Sequence, residues 1–281
     1  QARTSTSRAD MLSRVTWPPF PTQKVLSEIE ETVKKGIIKR VCIQTLNYST
    51  VFDDILSLVK EILSRVKVAI SVSCQPLDQE RMRRLAEAGV SRIGIPLDAA
   101  TEAIFDKIKG RLAGGPYTWD RQHRALKEAV QVFGKGSVST HLIVGLGETE
   151  REMIQMIQWC VDRGVYPGMF AFTPVSGTAL ENLPQPSLSH YRRVQVAHHL
   201  ITSGKTRFKN MKFSEDSCPV DFGVSEEQVR QLIRSGKPFL TSGCPNCNRP
   251  YYNEKPGGPL YNYPRQPSLE EICEIEKQIR A

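Results

Sequence analysis

His141-Leu-Ile-Val-Gly-Leu-Gly-Glu148 is the stretch on which the fold turns. Three successive aliphatic residues suit a buried strand, two glycines let the backbone turn, and the acidic residues that follow open a helix. The same order recurs on both sides. A short β-branched run ends in small or polar residues and gives way to an amphipathic helix, which is how a parallel sheet is written in sequence.

Working upstream, the pattern predicts a strand over 92–97 that delivers Asp98, with helices over 100–109 and 119–133 flanking the break at Gly114-Gly115-Pro116. Before it come a helix from Asp78 to a stop at Gly89, a strand over 68–74, a helix over 52–66, a strand over 38–45 and a helix over 23–35. Downstream lie a helix over 150–163, a strand over 169–174 and a helix over 189–203. A strand over 210–214, a helix over 225–234 and a strand over 238–241 then enter Ser242-Gly-Cys-Pro-Asn-Cys247, and a last helix spans 269–280. Seven strands are expected in this α/β chain, and one more ahead of Gln1 would make eight. The alternation fits a (β/α) barrel or a doubly wound open sheet, and periodicity does not separate them. Residues 1–243 read as the core domain and 244–281 as an extension carrying a C-x-x-C pair and the terminal helix.

Composition narrows the class. With 281 residues, 40% hydrophobic and 24% charged, the chain can bury a large core, and no run approaches the roughly 18 apolar residues of a membrane span. A cytoplasmic setting without membrane partners is expected. The net charge is +8, but its basic residues (Lys34, Lys35, Arg81, Arg83, Arg84, Arg192, Arg193) are scattered and read as solvated helix faces, not as a nucleic-acid groove. Seven cysteines in irregular spacing do not make a secreted disulfide framework, so reduced thiols or metal ligands are expected.

Four features could carry chemistry. Gly145-Leu-Gly147-Glu148 could cradle a phosphate, or be a tight turn whose Glu148 favours the helix dipole. Asp98, a polar residue ending an apolar strand, could accept hydrogen bonds from ribose hydroxyls or cap the helix that follows. Cys244 and Cys247, with Cys218 before them, could converge on a zinc ion or an iron-sulfur cluster, with a redox dithiol as the rival. Lys212 points into the barrel if Met211 and Phe213 face out, and outward if they do not. There it would be a substrate-site cation, or the Schiff-base lysine of an aldolase-like barrel. His141, His198 and His199 read as packing or solvent-facing residues; Cys42 and Cys74, near strand ends, are less easily dismissed.

Leu85-Ala-Glu-Ala-Gly-Val90 leading to Leu97-Asp98, then Ile143-Val-Gly-Leu-Gly-Glu-Thr149, then Val175-Ser-Gly-Thr-Ala-Leu180 together resemble the radical S-adenosylmethionine superfamily, in its biotin synthase-like branch, which includes archaeal-type lipoyl synthases. Gln1-Ala-Arg-Thr resembles the residues that follow the family's C-x-x-x-C-x-x-C loop. The resemblance implies a TIM-type (β/α) barrel whose first strand and cluster loop lie upstream of Gln1, with a [4Fe-4S] cluster there. It implies S-adenosylmethionine as cofactor: Asp98 at the ribose, Ile143, Gly145 and Glu148 beside adenine, Thr173, Pro174 and Val175 as backbone contacts to the base, and Gln44 to Asn47 near the methionine amino group. The implied chemistry is one-electron cleavage to a 5′-deoxyadenosyl radical that abstracts hydrogen from an unactivated carbon, here for sulfur insertion. A small-molecule or acyl-carrier-protein-bound acyl substrate and a reductant such as ferredoxin or flavodoxin would be its partners.

The departures bear on the substrate. Cys42 matches one thiol of biotin synthase's second cluster, but Ser71 and Ser139 stand at the other two positions, Lys212 replaces its arginine, and His141-Leu142 replaces paired glycines. The implied sulfur source is then an auxiliary cluster on Cys218, Cys244 and Cys247, as in lipoyl-type insertion. The competing expectation is a barrel without a cluster that serves as a binding or scaffold subunit.

Overall fold

The computed structural model describes residues 19–244 and 258–280. Strands β1 (Arg40–Gln44), β2 (Ala69–Ser73), β3 (Val90–Gly94), β4 (Val138–Val144) and β5 (Val165–Ala171) pair in parallel as one sheet, in the order β1-β2-β3-β4-β5. Helix α1 (Thr22–Lys34) precedes β1. The crossovers are α2 (Val51–Arg65), α3 (Gln79–Glu87), α4 (Glu102–Ile108) with α5 (Trp119–Phe133), and α6 (Glu150–Asp162), while α7 (Leu188–Thr202) follows β5.

Each helix buries a stripe set by its sequence. In α2 the stripe is Phe52, Ile55, Leu56, Val59 and Ile62, the three- and four-residue spacing of one helix face. Starts are fixed by side chains: Asp78 accepts from the Arg81 N–H at 2.8 Å, and Thr149 with Glu152 closes a capping box on α6.

The strand order runs without reversal, as in a barrel and unlike a doubly wound sheet. Side chains from one face of all five strands line a single cavity of about 250 Å³, so the sheet curves around it as an arc of a (β/α) barrel. The opposite face, with Ile70, Val72, Ile93 and Val144, packs beneath the helices.

The last two expected strands do not join this sheet. Residues 208–210 form a 3-10 turn, and only β6 (Lys212–Phe213) follows, pairing antiparallel with β7 (Pro219–Asp221). Lys237–Phe239 is another 3-10 turn, entered through Gly236 at φ 66°. Pro238 has no N–H for a ladder, and Leu240 makes just an isolated bridge with Tyr263.

Helices α8 (Glu226–Arg234) and α9 (Leu269–Arg280) complete the described chain. Arg192, expected on a solvated face, is buried in α7 instead. Its guanidinium donates to the Leu260 carbonyl at 2.6 Å, to Gln195 Oε1 at 2.7 Å and to Gln278 Oε1 at 3.1 Å. A buried cation is tolerable with that many acceptors, and it ties the returning tail to the barrel wall. Among the described residues no helix is long and apolar enough to cross a membrane.

Candidate functional site at the strand ends

Asp98 lies four residues beyond β3 and still pairs with β4: its N–H donates to the His141 carbonyl at 2.7 Å, and the Ile143 N–H donates to its carbonyl at 2.8 Å. Its φ of 70° is left-handed, a conformation an aspartate holds only where its surroundings insist. The helix-cap reading fails, because Thr101 caps α4 by accepting from the Ile104 N–H at 3.3 Å. The carboxylate instead receives Lys109 Nζ on Oδ2 at 2.7 Å, with both side chains largely shielded from solvent. Lys109 also donates to the Pro96 carbonyl at 2.9 Å and lies 5.2 Å from the centre of the Tyr117 ring. Asn47 Nδ2 donates to Tyr117 Oη at 2.9 Å, which links the end of β1 to this group. Burial is the main cause of a raised Tyr117 pKa, so its hydroxyl keeps its proton.

The turn after β4 is closed by its own acid. Glu148 is 6% exposed; its Oε1 accepts the Gly145 N–H at 2.6 Å and Oε2 the Leu146 N–H at 2.9 Å. Burial raises its pKa, and those backbone bonds partly offset the rise. The N–H groups that a phosphate would need are therefore taken. The tight-turn reading holds, with Glu148 directly ahead of the Thr149 N-cap while Thr149 and Glu152 make the capping bonds of α6. Gly145 is required twice over: its φ is 101°, and a Cβ there would fall 2.7 Å from the Pro186 ring.

Beyond β5, the Phe172 N–H donates to the Val144 carbonyl at 2.8 Å, and Gln185 Nε2 donates to Thr173 Oγ1 at 3.2 Å. Thr178 folds back, its N–H on the Val175 carbonyl at 3.2 Å. Asp98, the Ile143-to-Glu148 turn and Thr173-Pro174-Val175 thus stand on three adjoining strand ends, with Gln44 at the end of the edge strand β1.

Two expected site residues lie elsewhere. The Lys212 side chain is 76% exposed and pairs with Asp221 at 3.3 Å; β6 is one half of an outer ribbon, so alternation turns the lysine to solvent. It lies outside the cavity and is poorly placed as a substrate or Schiff-base lysine. Cys218 does not join Cys244. Its thiol meets Glu150 Oε1 at 3.6 Å and receives Arg193 Nη2 at 3.8 Å, while Cys244 accepts from Ser71 Oγ at 3.6 Å. Desolvation and the neighbouring Glu150 carboxylate raise the Cys218 pKa. Arg193, expected on a solvated face, is bound to Glu150 at 2.6 Å. Cys247 and Gln1-Ala-Arg-Thr lie outside the described residues. Among the described residues no three His, Cys, Asp or Glu side chains are grouped to hold a metal.

His198 packs as expected, its Nε2 at 2.7 Å from the Pro167 carbonyl, and burial pushes its pKa down to about 4. His141, expected as a packing or solvent-facing residue, lines the cavity and packs edge-on to Phe170 at 4.9 Å. Lys109 and Tyr117 were missed; the one signal was their position in the segment after Asp98. Arg40 and Arg92 were missed too, although the alternation Arg40, Cys42, Gln44 against Val41 and Ile43 marks an inward polar face.

Three comparisons bear on this arrangement. A model of the Radical SAM superfamily matches residues 7–160, more than half of the chain. Biotin synthase of Aquifex aeolicus is 26% identical over 215 residues, 74% of this chain and 59% of its own length. Among solved structures, methylornithine synthase superposes with a TM-score of 0.53 at 16% identity, over 72% of this chain and 61% of that one. The FeFe-hydrogenase maturase HydG from Carboxydothermus hydrogenoformans gives 0.53 at 14% identity, over 72% and 48%. These structural likenesses speak for the fold.

Proposed function

The chain belongs to the radical S-adenosylmethionine superfamily, and from that premise we propose that its strand ends bind the adenosine part of S-adenosylmethionine and that the enzyme inserts sulfur into an unactivated carbon chain. Membership implies S-adenosylmethionine and a [4Fe-4S] cluster, which together supply, when bound, one-electron cleavage to a 5′-deoxyadenosyl radical. The observation that carries the reading is the continuity of Asp98, the Gly145 turn and residues 173–175 on adjoining strands.

The residues fit a nucleoside and not a free phosphate. Asp98 has Oδ2 committed to Lys109, leaving Oδ1 to accept from ribose hydroxyls. Glu148 ties down the backbone of its turn, which Gly145 packs closely against Pro186, so the aliphatic Ile143 offers an ordered wall to a base. Backbone groups at Thr173 and Val175 are the polar partners for its edge, and Gln44 and Asn47 face the methionine end. A rim pre-formed in this way orients the cofactor and keeps water from the reacting carbon.

Sulfur insertion is supported by the likeness to biotin synthase, of which the chain spans 59%, and by thiols inside the barrel. An acyl chain, free or bound to a carrier protein, can lie along Phe170 and Tyr166, with Arg40 and Arg92 in the same cavity for a polar or anionic group. The test is anaerobic reconstitution of the full natural protein with iron and sulfide, followed by S-adenosylmethionine, a ferredoxin or flavodoxin reductant and an octanoylated carrier peptide. Sulfur-bearing peptide in the mass spectrum is the expected result. 5′-deoxyadenosine without thiolated product would remove sulfur insertion, and neither product would favour a scaffold role.

A further inference from the structure

The cavity enclosed by the strands is lined by two guanidinium groups, those of Arg40 and Arg92, and among the described residues by no carboxylate. Strand register sets their height. Arg92 pairs with Ser71 of β2, and Arg40 stands two residues before Cys42, which pairs with the same serine. Gly94, Ser139 and Tyr166 make the next inward rung on β3, β4 and β5. Both arginines therefore belong to the floor, at the amino end of the strands. The rung just above Arg92, Ile93 with Val138, lies four residues of β4 below the one that joins Leu142 to Asp98. At the rise of a parallel strand that separates floor from rim by about 13 Å.

Neutral oxygens help to hold the two cations. Arg40 Nη1 donates to Ser71 Oγ and to Ser91 Oγ, each at 2.9 Å, and Arg92 Nη2 donates to the Gly136 carbonyl. Tyr166 lies within reach of the Arg92 charge, and burial raises its pKa, so its hydroxyl stays protonated. Two cations at a partly desolvated floor repel a metal ion and attract an anion. Higher up, Tyr166 and Phe170 present rings to the cavity, and Gly168 between them leaves the wall bare. The cavity, about 250 Å³, is narrow beside ordinary ligand pockets and suits a single chain.

We propose that this floor binds the carboxylate of a chain-like substrate through Arg92 and Arg40, with the chain rising along Tyr166 and Phe170 towards the strand-end rim. A guanidinium matches a carboxylate in shape as well as charge, since its planar fork gives two parallel N–H bonds. The carbon that reacts lies at the rim end, so the substrate class is a flexible acid attacked several carbons from its anionic terminus. That the ligand is a substrate rests on the proposed function; the anion subsite does not.

The test uses the full natural chain, purified anaerobically, with octanoate and its neutral isostere octanamide as probes in calorimetry. Wild type should bind octanoate roughly tenfold or more tightly than octanamide, the size of a hydrogen-bonded charge contact. Arg92→Gln and Arg40→Gln should each erase most of that preference and leave octanamide binding unchanged, Arg92→Lys should recover part of it, and Lys212→Gln, outside the cavity, should keep it all. A circular-dichroism melt confirms that each variant is folded. Equal affinity for acid and amide in the wild type, a comparison that needs no variant, would overturn the proposal. So would inorganic phosphate that binds as tightly as octanoate with the same dependence on Arg92, since the floor would then take small anions without a chain. Octanoate preferred through Arg92 by a protein that forms no sulfur-bearing product would uphold the subsite and overturn sulfur insertion. Sulfur-bearing product with no preference for the acid would do the reverse.

Discussion

The strand-end rim and the cavity floor are carried by the same five strands and are built by opposite means. At the rim the two carboxylates are held by close neighbours in sequence: Glu148 closes on Gly145 and Leu146, and Lys109 holds Asp98 from eleven residues away. At the floor, Ser71 meets Cys244 across 173 residues, and Arg40 reaches Ser91 across 51. Local closure makes a rigid rim that exists before any ligand arrives. Long-range closure makes a floor that depends on the return of the tail, and the buried Arg192 fastens that return to α7. The difference teaches where each kind of damage should appear: at the rim as lost geometry, at the floor as lost assembly.

The largest effect should come from the rim turn. Gly145→Val places a β-branched side chain at φ 101° and against Pro186, combining backbone strain with overpacking. A loss of about 3 kcal/mol or more is expected in denaturant unfolding. An unchanged midpoint would mean that the turn is not rigid, and the contrast with the floor would fail.

Behind the floor, His198 braces β5 through Pro167 and lies edge-on to Tyr166 at 5.8 Å. The folded ring stays neutral down to about pH 4, against an ordinary value of 6.5. Between those pH values the unfolded chain binds more protons, so stability falls as pH drops through that window and levels off below it. The expected loss is about 3 kcal/mol, following from the size of that shift. His198→Gln should flatten this part of the profile in urea melts taken at stepped pH. A slope that survives the substitution would assign the acid sensitivity elsewhere.

A smaller effect tests how the rim positions its acid. Lys109→Met leaves the Asp98 backbone bridge intact and removes the ammonium from Oδ2. S-adenosylmethionine binding should weaken roughly tenfold, about 1.4 kcal/mol, with Lys109→Arg recovering part of it. Calorimetry that shows equal affinity in the methionine variant would reduce Lys109 to packing.

The same contrast explains what could be read from the sequence. The five parallel strands and their crossovers were legible because each carries its own periodicity, and the Gly145 turn and Asp98 because strand-end chemistry is local. The tail was not. Pro238 and the short run around Lys212 look like strands when taken alone, yet one forms a 3-10 turn and the other an outer ribbon. Arg192 looks like a surface cation, and just the folded chain supplies the carbonyls that accept it. For Cys218, spacing suggested a partner in Cys244, whereas packing gave it Glu150 and Arg193. Cys42 was visible as a residue but not as the neighbour of a tail thiol, since strand register with Ser71 and a contact from the far end of the chain decide that together.

The measurement that bears most directly on the central claim is formation of 5′-deoxyadenosine by the full natural protein, reconstituted anaerobically with iron and sulfide and reduced with S-adenosylmethionine present. The account predicts product from the wild type and a fall of tenfold to a hundredfold in S-adenosylmethionine affinity for Asp98→Ala, the cost of losing hydrogen bonds to a charged group. No 5′-deoxyadenosine from the wild type, or unchanged affinity in Asp98→Ala, would contradict it.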